Sequence, residues 1–217
     1  SVKELQSLGI QPDILVLRAE HDLNANLRRK IANFCNVSPD AVVQSLDMPT
    51  IYEVPLSMQE QGLDATILRK LDLPVGETPG LGPWRSFLER RHKATEVVNI
   101  GLVGKYDLQD AYKSILEALS QAGTYNDHKV KCHFINSEKI NETNVAEMLA
   151  GMDGYVICPG FGQRGIEGKI IAARYCREND RPTFGICLGM QMMVIEYGRN
   201  VLGYADANSV EMDQKTP

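Results

Sequence analysis

From residue 97 onward, apolar positions follow two alternating rhythms. Short β-branched runs at Val97 to Val103, Lys129 to Ile135, Tyr155 to Cys158 and Thr183 to Ile186 read as strands. Between them lie helical patterns. Asp110 to Ala122 would turn Ala111, Ile115, Ala118, Leu119 and Ala122 inward. Further helices are expected near Glu142 to Ala150, within Ile166 to Glu178, and after Cys187, where Met190, Met193, Val194 and Tyr197 recur at helical spacing. Strands alternating with helices predict an α/β fold with a doubly wound parallel sheet. Loops at the strand carboxyl ends would then build the site.

The first 73 residues carry a shorter version of the same rhythm. Ser1 to Leu8 reads as a helix stopped by Gly9, and Asp13 to Ala19 as a strand. The next helix, capped by Asp22 or Asn24, has Leu27, Ile31 and Phe34 on its apolar face, with Arg28, Arg29 and Lys30 between them. Ala41 to Leu46 is a second strand, Asp47-Met48-Pro49 a turn, and Leu56 to Gln61 and Ala65 to Leu71 are short helices. Pro74, Gly76, Pro79, Gly80, Gly82 and Pro83 then crowd into ten residues, which sustains neither helix nor strand. Residues 74–96 are therefore expected to be a linker, ending in a charged amphipathic stretch from Trp84 to Lys93, between domains at 1–73 and 97–217.

Composition narrows the function. A net charge of −5 without a basic run argues against a nucleic-acid groove or an anionic membrane surface, while leaving phosphorylated small molecules open. The five cysteines are odd in number and form no CxxC pair, against a disulfide framework or a zinc site, and no metal site is expected. No apolar run approaches the length of a membrane span, and a cytoplasmic location is expected.

One stretch carries chemistry. Gly185-Ile186-Cys187-Leu188-Gly189 has the form of a nucleophile elbow with cysteine at its apex. Small neighbours suit a strained strand-to-helix turn that thrusts the sulfur out at the sheet edge. The first amides of the following helix would favour thiolate there, and the Leu188 amide is placed to meet a developing oxyanion. The glycine-rich loop Pro159 to Gly165 ends the preceding strand, which neighbours the last one in a flavodoxin-like order. Pro159 lacks an N–H, so Gly160 is the candidate second donor. Gly101 to Tyr106 ends the first strand in a third unusual loop.

With these residues, the chain resembles the CTP synthase family. The resemblance rests on Gly9-Ile-Gln-Pro-Asp13, Arg28-Arg-Lys-Ile31, Thr50-Ile-Tyr-Glu-Val-Pro55, Val103-Gly-Lys-Tyr106, Asp110-Ala-Tyr-Lys-Ser114, Gly160-Phe-Gly-Gln-Arg-Gly-Ile-Glu-Gly168 and Gly185-Ile-Cys-Leu-Gly-Met-Gln191. It implies a flavodoxin-like class I glutaminase domain joined to part of a P-loop-like amidoligase domain. The implied activity is amination of UTP to CTP with Mg2+ and ATP, using ammonia from glutamine and GTP as activator, with CTP as product inhibitor and a homotetrameric assembly.

By the same resemblance, Cys187 is the nucleophile, Gly160 and Leu188 are oxyanion donors, and Gln191 and Glu211 hold glutamine. Arg18, Asp47 and Met48 match the ATP site, and Lys30 and Phe34 match positions meeting the pyrimidine nucleotide. Asp110, Lys113, Phe161 and Arg164 match a region of GTP activation and domain contact. The resemblance further implies an internal fragment, with the phosphate loop before Ser1 and the triad histidine and glutamate beyond Pro217. His21, His92, His128 and His133 read as surface or satisfied histidines. Pro159 departs from the family's Pro-Gly-Gly-Phe-Gly loop. The alternative is a non-catalytic, flavodoxin-like binding or redox-sensing module with a reversibly oxidised Cys187.

Overall fold

The structure, a computed structural model, describes residues 1–77, 80–106 and 109–216. Thr78 and Pro79 of the expected linker lie outside the described residues. The chain divides into two compact units, Ser1–Leu88 and Glu89–Pro217, the division falling within the expected linker.

In the first unit, α1 (Val2–Ser7) precedes β1 (Leu15–Ala19), α2 (Ala25–Cys35) and β2 (Val42–Leu46). The strands pair in parallel, Leu15 opposite Val42 and Ala19 opposite Leu46. Asn24 caps α2 by accepting from the Leu27 amide at 2.9 Å. The core is Leu15, Ala32, Cys35 and Val42, so α2 turns inward one position away from the expected face. Leu27 and Phe34 are exposed, Phe34 at 70%. Next come α3 (Val54–Glu60) and α4 (Leu63–Lys70), and then α5 (Gly82–Lys93), which contains the division between the units. Trp84 and Phe87 pack around Tyr52, and the Trp84 indole N–H donates to the Tyr52 carbonyl at 2.7 Å.

The second unit is built on β3 (Val97–Gly104), α6 (Lys113–Tyr125), β4 (Lys129–Asn136), α7 (Val145–Met148), β5 (Gly154–Ile157), α8 (Ile166–Glu178), β6 (Thr183–Gly185) and α9 (Leu188–Asn200). The four strands are parallel in the order β4-β3-β5-β6, the flavodoxin-like arrangement. Alternate side chains of β3 and β5 supply two cores. Leu102, Val156 and Cys158 pack on Tyr112 and Ile115 of one face, and Val103, Tyr155 and Ile157 on Val145, Ala172 and Cys176 of the other. The sheet is thus covered on both sides, as a doubly wound fold requires.

Two helical expectations are corrected, while the helix expected after Cys187 is present as α9. α6 buries Ile115, Gly123 and Thr124, whereas Ala111, Ala118 and Ala122 are exposed. Gly123 must face the sheet, because a Cβ there would stand 2.7 Å from Val130 and 2.9 Å from the His128 carbonyl. The helix expected over Glu142 to Ala150 shrinks to one turn, since the Asn141 side chain takes the amides of Thr143 and Asn144 at 3.0 and 3.1 Å. In α9 the buried residues are Leu188, Gly189, Met192, Ile195 and Glu196, while Met190, Val194 and Tyr197 are exposed. With Phe184 and Leu202 they line an open apolar groove of about 620 Å³ beside β6.

Candidate active site

The elbow follows from two steric facts. Position 185 lies so near α9 that a Cβ there would stand 2.7 Å from the backbone of Met190, and a Cβ at 189 would be driven into the carbonyl oxygen of Ile157. Only glycine lets the helix begin this close to β5 and β6. Between them the backbone turns through Cys187 at φ 53° and ψ −113°, a conformation costing about 1–3 kcal/mol for a residue with a side chain. Cys187 is exposed, whereas Cys35, Cys158 and Cys176 are buried and Cys132 half-buried. Leu188 opens α9 and is 3% exposed, packed with Ile166, Ile170, Met192 and Ile195.

The loop after β5 stands beside the elbow. Gly160 is buried, and a Cβ on it would meet the Leu188 side chain at 3.6 Å, Lys105 at 3.3 Å and the Lys169 ammonium at 3.8 Å. Among the described residues, neither the Gly160 amide nor the Leu188 amide donates a hydrogen bond within the protein. One turn beyond the sulfur, the Gln191 amide donates to the Cys187 carbonyl at 3.1 Å, while the buried Gln191 Oε1 has no partner. Gly162 and Gly165 hold left-handed conformations, φ 70° and 74°. Gln163 Nε2 donates to the Met212 carbonyl at 3.1 Å, and Met212 packs against the Leu188 cluster. That contact brings the chain around Glu211, itself exposed, to this edge of the sheet.

Sequence reasoning missed two buried lysines behind the loop. Lys169 is fully buried in α8, and its ammonium donates to the carbonyls of Cys158 at 2.6 Å and Pro159 at 3.5 Å. Burial pushes its pKa down to about 8, and burial pushes the neighbouring Cys158 thiol up to about 12. Lys105, 5% exposed at the end of β3, donates to the Phe161 carbonyl. The available signal was Lys169 falling on the same helical stripe as Ile166, Ala173 and Cys176, where a cation is out of place unless paired.

The other candidates are spread more widely. The Phe161 side chain is 78% exposed. Arg164 pairs with Glu138 at 2.9 Å, so it is not a free cation. Asp110 and Lys113 lie before and at the start of α6, and Lys113 pairs with Glu117 at 2.8 Å. In the first unit, Arg18 forms an ion pair with Asp47 at the ends of β1 and β2, Met48 follows it, and Lys30 is exposed on α2. The Phe34 ring lies under the Lys3 ammonium at 4.9 Å. His133 meets Asn99 at 2.9 Å and His128 meets Glu96 at 3.1 Å. Among the described residues no cluster of three or more His, Cys, Asp or Glu could hold a metal, and no helix is long and apolar enough to cross a membrane.

The family model for the CTP synthase N-terminus matches residues 1–73, and that for class-I glutamine amidotransferases matches residues 107–216. The chain belongs to the class I glutamine amidotransferases, and within them to the CTP synthase family. CTP synthases from Bacteroides thetaiotaomicron and Porphyromonas gingivalis are 72% and 62% identical, over 100% and 98% of this chain and 41% and 40% of their own lengths. The chain therefore spans about two fifths of the length of the curated relatives it matches. The glutaminase domain of Trypanosoma brucei CTP synthase, solved with bound acivicin, superposes with a TM-score of 0.52 at 38% identity, covering 55% of this chain and 47% of that one.

Proposed function

We propose that this chain supplies the glutamine-hydrolysing half-site, and part of the amidoligase domain, of an enzyme that aminates UTP to CTP. The observation that carries the reading is the exposed, backbone-strained Cys187 flanked by two unengaged amides, on a chain of the CTP synthase family. Cys187 Sγ attacks the side-chain carbonyl carbon of glutamine, and the Leu188 and Gly160 amides take the oxyanion. The C–N bond breaks, ammonia leaves with a proton from a histidine outside this chain, and a thioester remains. Water then attacks it, releasing glutamate and restoring the thiol. Gln191, with its unpartnered oxygen, and Glu211 bind the substrate glutamine.

On this reading residues 1–73 belong to the amidoligase domain, where Arg18, Asp47 and Met48 meet ATP and Lys30 and Phe34 the pyrimidine nucleotide. Mg2+ would accompany the ATP there. GTP as activator, CTP as inhibitor, a homotetramer and a cytoplasmic location complete the proposal. The buried, unpartnered oxygen of Gln191 favours it over the redox-sensing alternative, which needs no glutamine site. A glutamine-analogue electrophile should label Cys187 ahead of the other four cysteines. In the full-length enzyme, Cys187→Ala should lower glutamine-driven CTP formation by at least about a thousandfold. Labelling of Cys35 or Cys176 first, or an active Cys187→Ala enzyme, would overturn it.

A further inference from the structure

We infer that Lys169 and Lys105 are positioning residues that lock the peptide between Pro159 and Gly160 with its N–H turned toward the elbow. The inference rests on the glutaminase reading and explains a buried cation which that reading leaves without work. A trans peptide points its C=O and N–H in opposite directions. Lys169 Nζ lies 3.5 Å from the Pro159 oxygen and 2.6 Å from the Cys158 oxygen, so it grips two successive carbonyls on the α8 side. The Gly160 N–H shares its plane with the Pro159 carbonyl and must then face away from Lys169. On the far side of the same glycine, Lys105 holds the Phe161 carbonyl. Gly160 is thus clamped between two ammonium groups, with Leu188 beside it.

The clamp matters because the residue is glycine. Without side-chain restraint a glycine peptide rotates freely, and a flipped peptide would present a carbonyl, not a donor, to the oxyanion. An interior lysine is costly to bury, and three groups face it: the buried Cys158 thiol, the buried Lys105 ammonium and, at the mouth, the exposed Cys187. Carbonyl acceptors offset that cost, and a neutral amine still donates to them, so the hold survives loss of the charge.

The test is made in the full-length enzyme. Lys169→Met should lower kcat for glutamine hydrolysis by about tenfold to a hundredfold, below the loss from deleting an oxyanion donor outright, with KM for glutamine changed less than about threefold. Lys105→Met should act in the same direction, and Lys169→Arg should recover part of the rate. Alkylation of Cys187 by iodoacetamide, a displacement at saturated carbon that forms no oxyanion, should stay within about twofold of the unsubstituted enzyme. A kcat within twofold in both methionine variants overturns the clamp, as does a parallel fall in alkylation, which would place the lysines' effect on the thiol. If Lys169→Met does not fold, Lys105→Met decides by the same two rates. An enzyme whose glutamine hydrolysis survives Cys187→Ala overturns the glutaminase reading and the clamp together, whereas failure of the clamp alone leaves that reading standing.

Discussion

The elbow and the loop facing it are held in opposite ways. At the elbow, backbone excludes backbone: Gly185 and Gly189 sit where any side chain would enter Met190 or Ile157, and the turn through Cys187 has no room to relax. The Gly160 loop has space, its nearest neighbours being long side chains at 3.3 to 3.8 Å, and it is tied down by lysines from β3 and α8. A nucleophile needs one fixed position. A donor that must meet a transient oxyanion can be set by groups that also allow adjustment.

The sharpest way to break this contrast is to add one methyl group on each side. Gly189→Ala should cost about 3 kcal/mol or more, because either α9 or β5 must move. Gly160→Ala should cost less than about 1 kcal/mol, the Lys105 stem giving way. Hydrogen-exchange protection of the β5 amides reports both, and equal losses would show that the loop is as tightly packed as the elbow.

The helices that carry the two segments are clamped by Glu196, 3% exposed on α9, which receives Arg177 of α8 at 2.8 and 3.1 Å. Arg177→Met should destabilise the unit by roughly 3 kcal/mol, since a buried carboxylate loses its partner. Adding Glu196→Leu should recover much of that loss. Denaturant midpoints of the two variants test it, and a double variant no better than the single one would show that the pair has no unpaired-charge cost.

This contrast also marks what the sequence could reveal. Local steric demands were legible: glycines around one cysteine predicted a strained turn, and strand periodicity predicted the sheet and its order. Helix faces were less so, because small residues such as Ala118 and Ala122 fit either side, and tertiary packing chose Gly123 to approach Val130. The lysine clamp joins β3, the β5 loop and α8 across 56 and 11 residues of chain. A lysine in sequence is most often a surface residue, and only the fold brings these two to one glycine.

Burial of Lys169 gives a pH test of intermediate size. Its pKa is about 8 in the fold against an ordinary 10.5, so between these values the unfolded chain binds more protons and this residue's contribution to stability rises with pH. Below about pH 8 both states hold the proton and the cost of burying the charge is present in full. Buried Cys158, raised to about 12, and Tyr112 and Tyr155, likewise about 12, act in the opposite sense once pH passes their ordinary values of 9 and 10. The comparison must therefore be with Lys169→Met. From about pH 7.5 to about pH 9.5 the unsubstituted protein should gain about 2 kcal/mol relative to that variant. A difference independent of pH would mean that Lys169 stays protonated throughout.

The smallest expected effect concerns the outer end of the same loop. Arg164, proposed to meet the anionic activator, is held by Glu138 at 2.9 Å with side-chain exposures of 59% and 32%. An exposed pair of this kind is worth about 0–1 kcal/mol, so GTP can displace Glu138 at little cost. The left-handed glycines at 162 and 165 bracket Arg164 and let it swing without disturbing the lysine-held peptide at Gly160. Glu138→Gln should then lower the half-activating GTP concentration by up to about fivefold, the whole of the pair's competing energy, and change stability by less than about 1 kcal/mol. Arg164→Ala should remove most GTP stimulation of glutamine hydrolysis. A GTP titration of both variants decides the matter. If Glu138→Gln needs more GTP than the unsubstituted enzyme, Glu138 orients Arg164 for the nucleotide and does not compete with it.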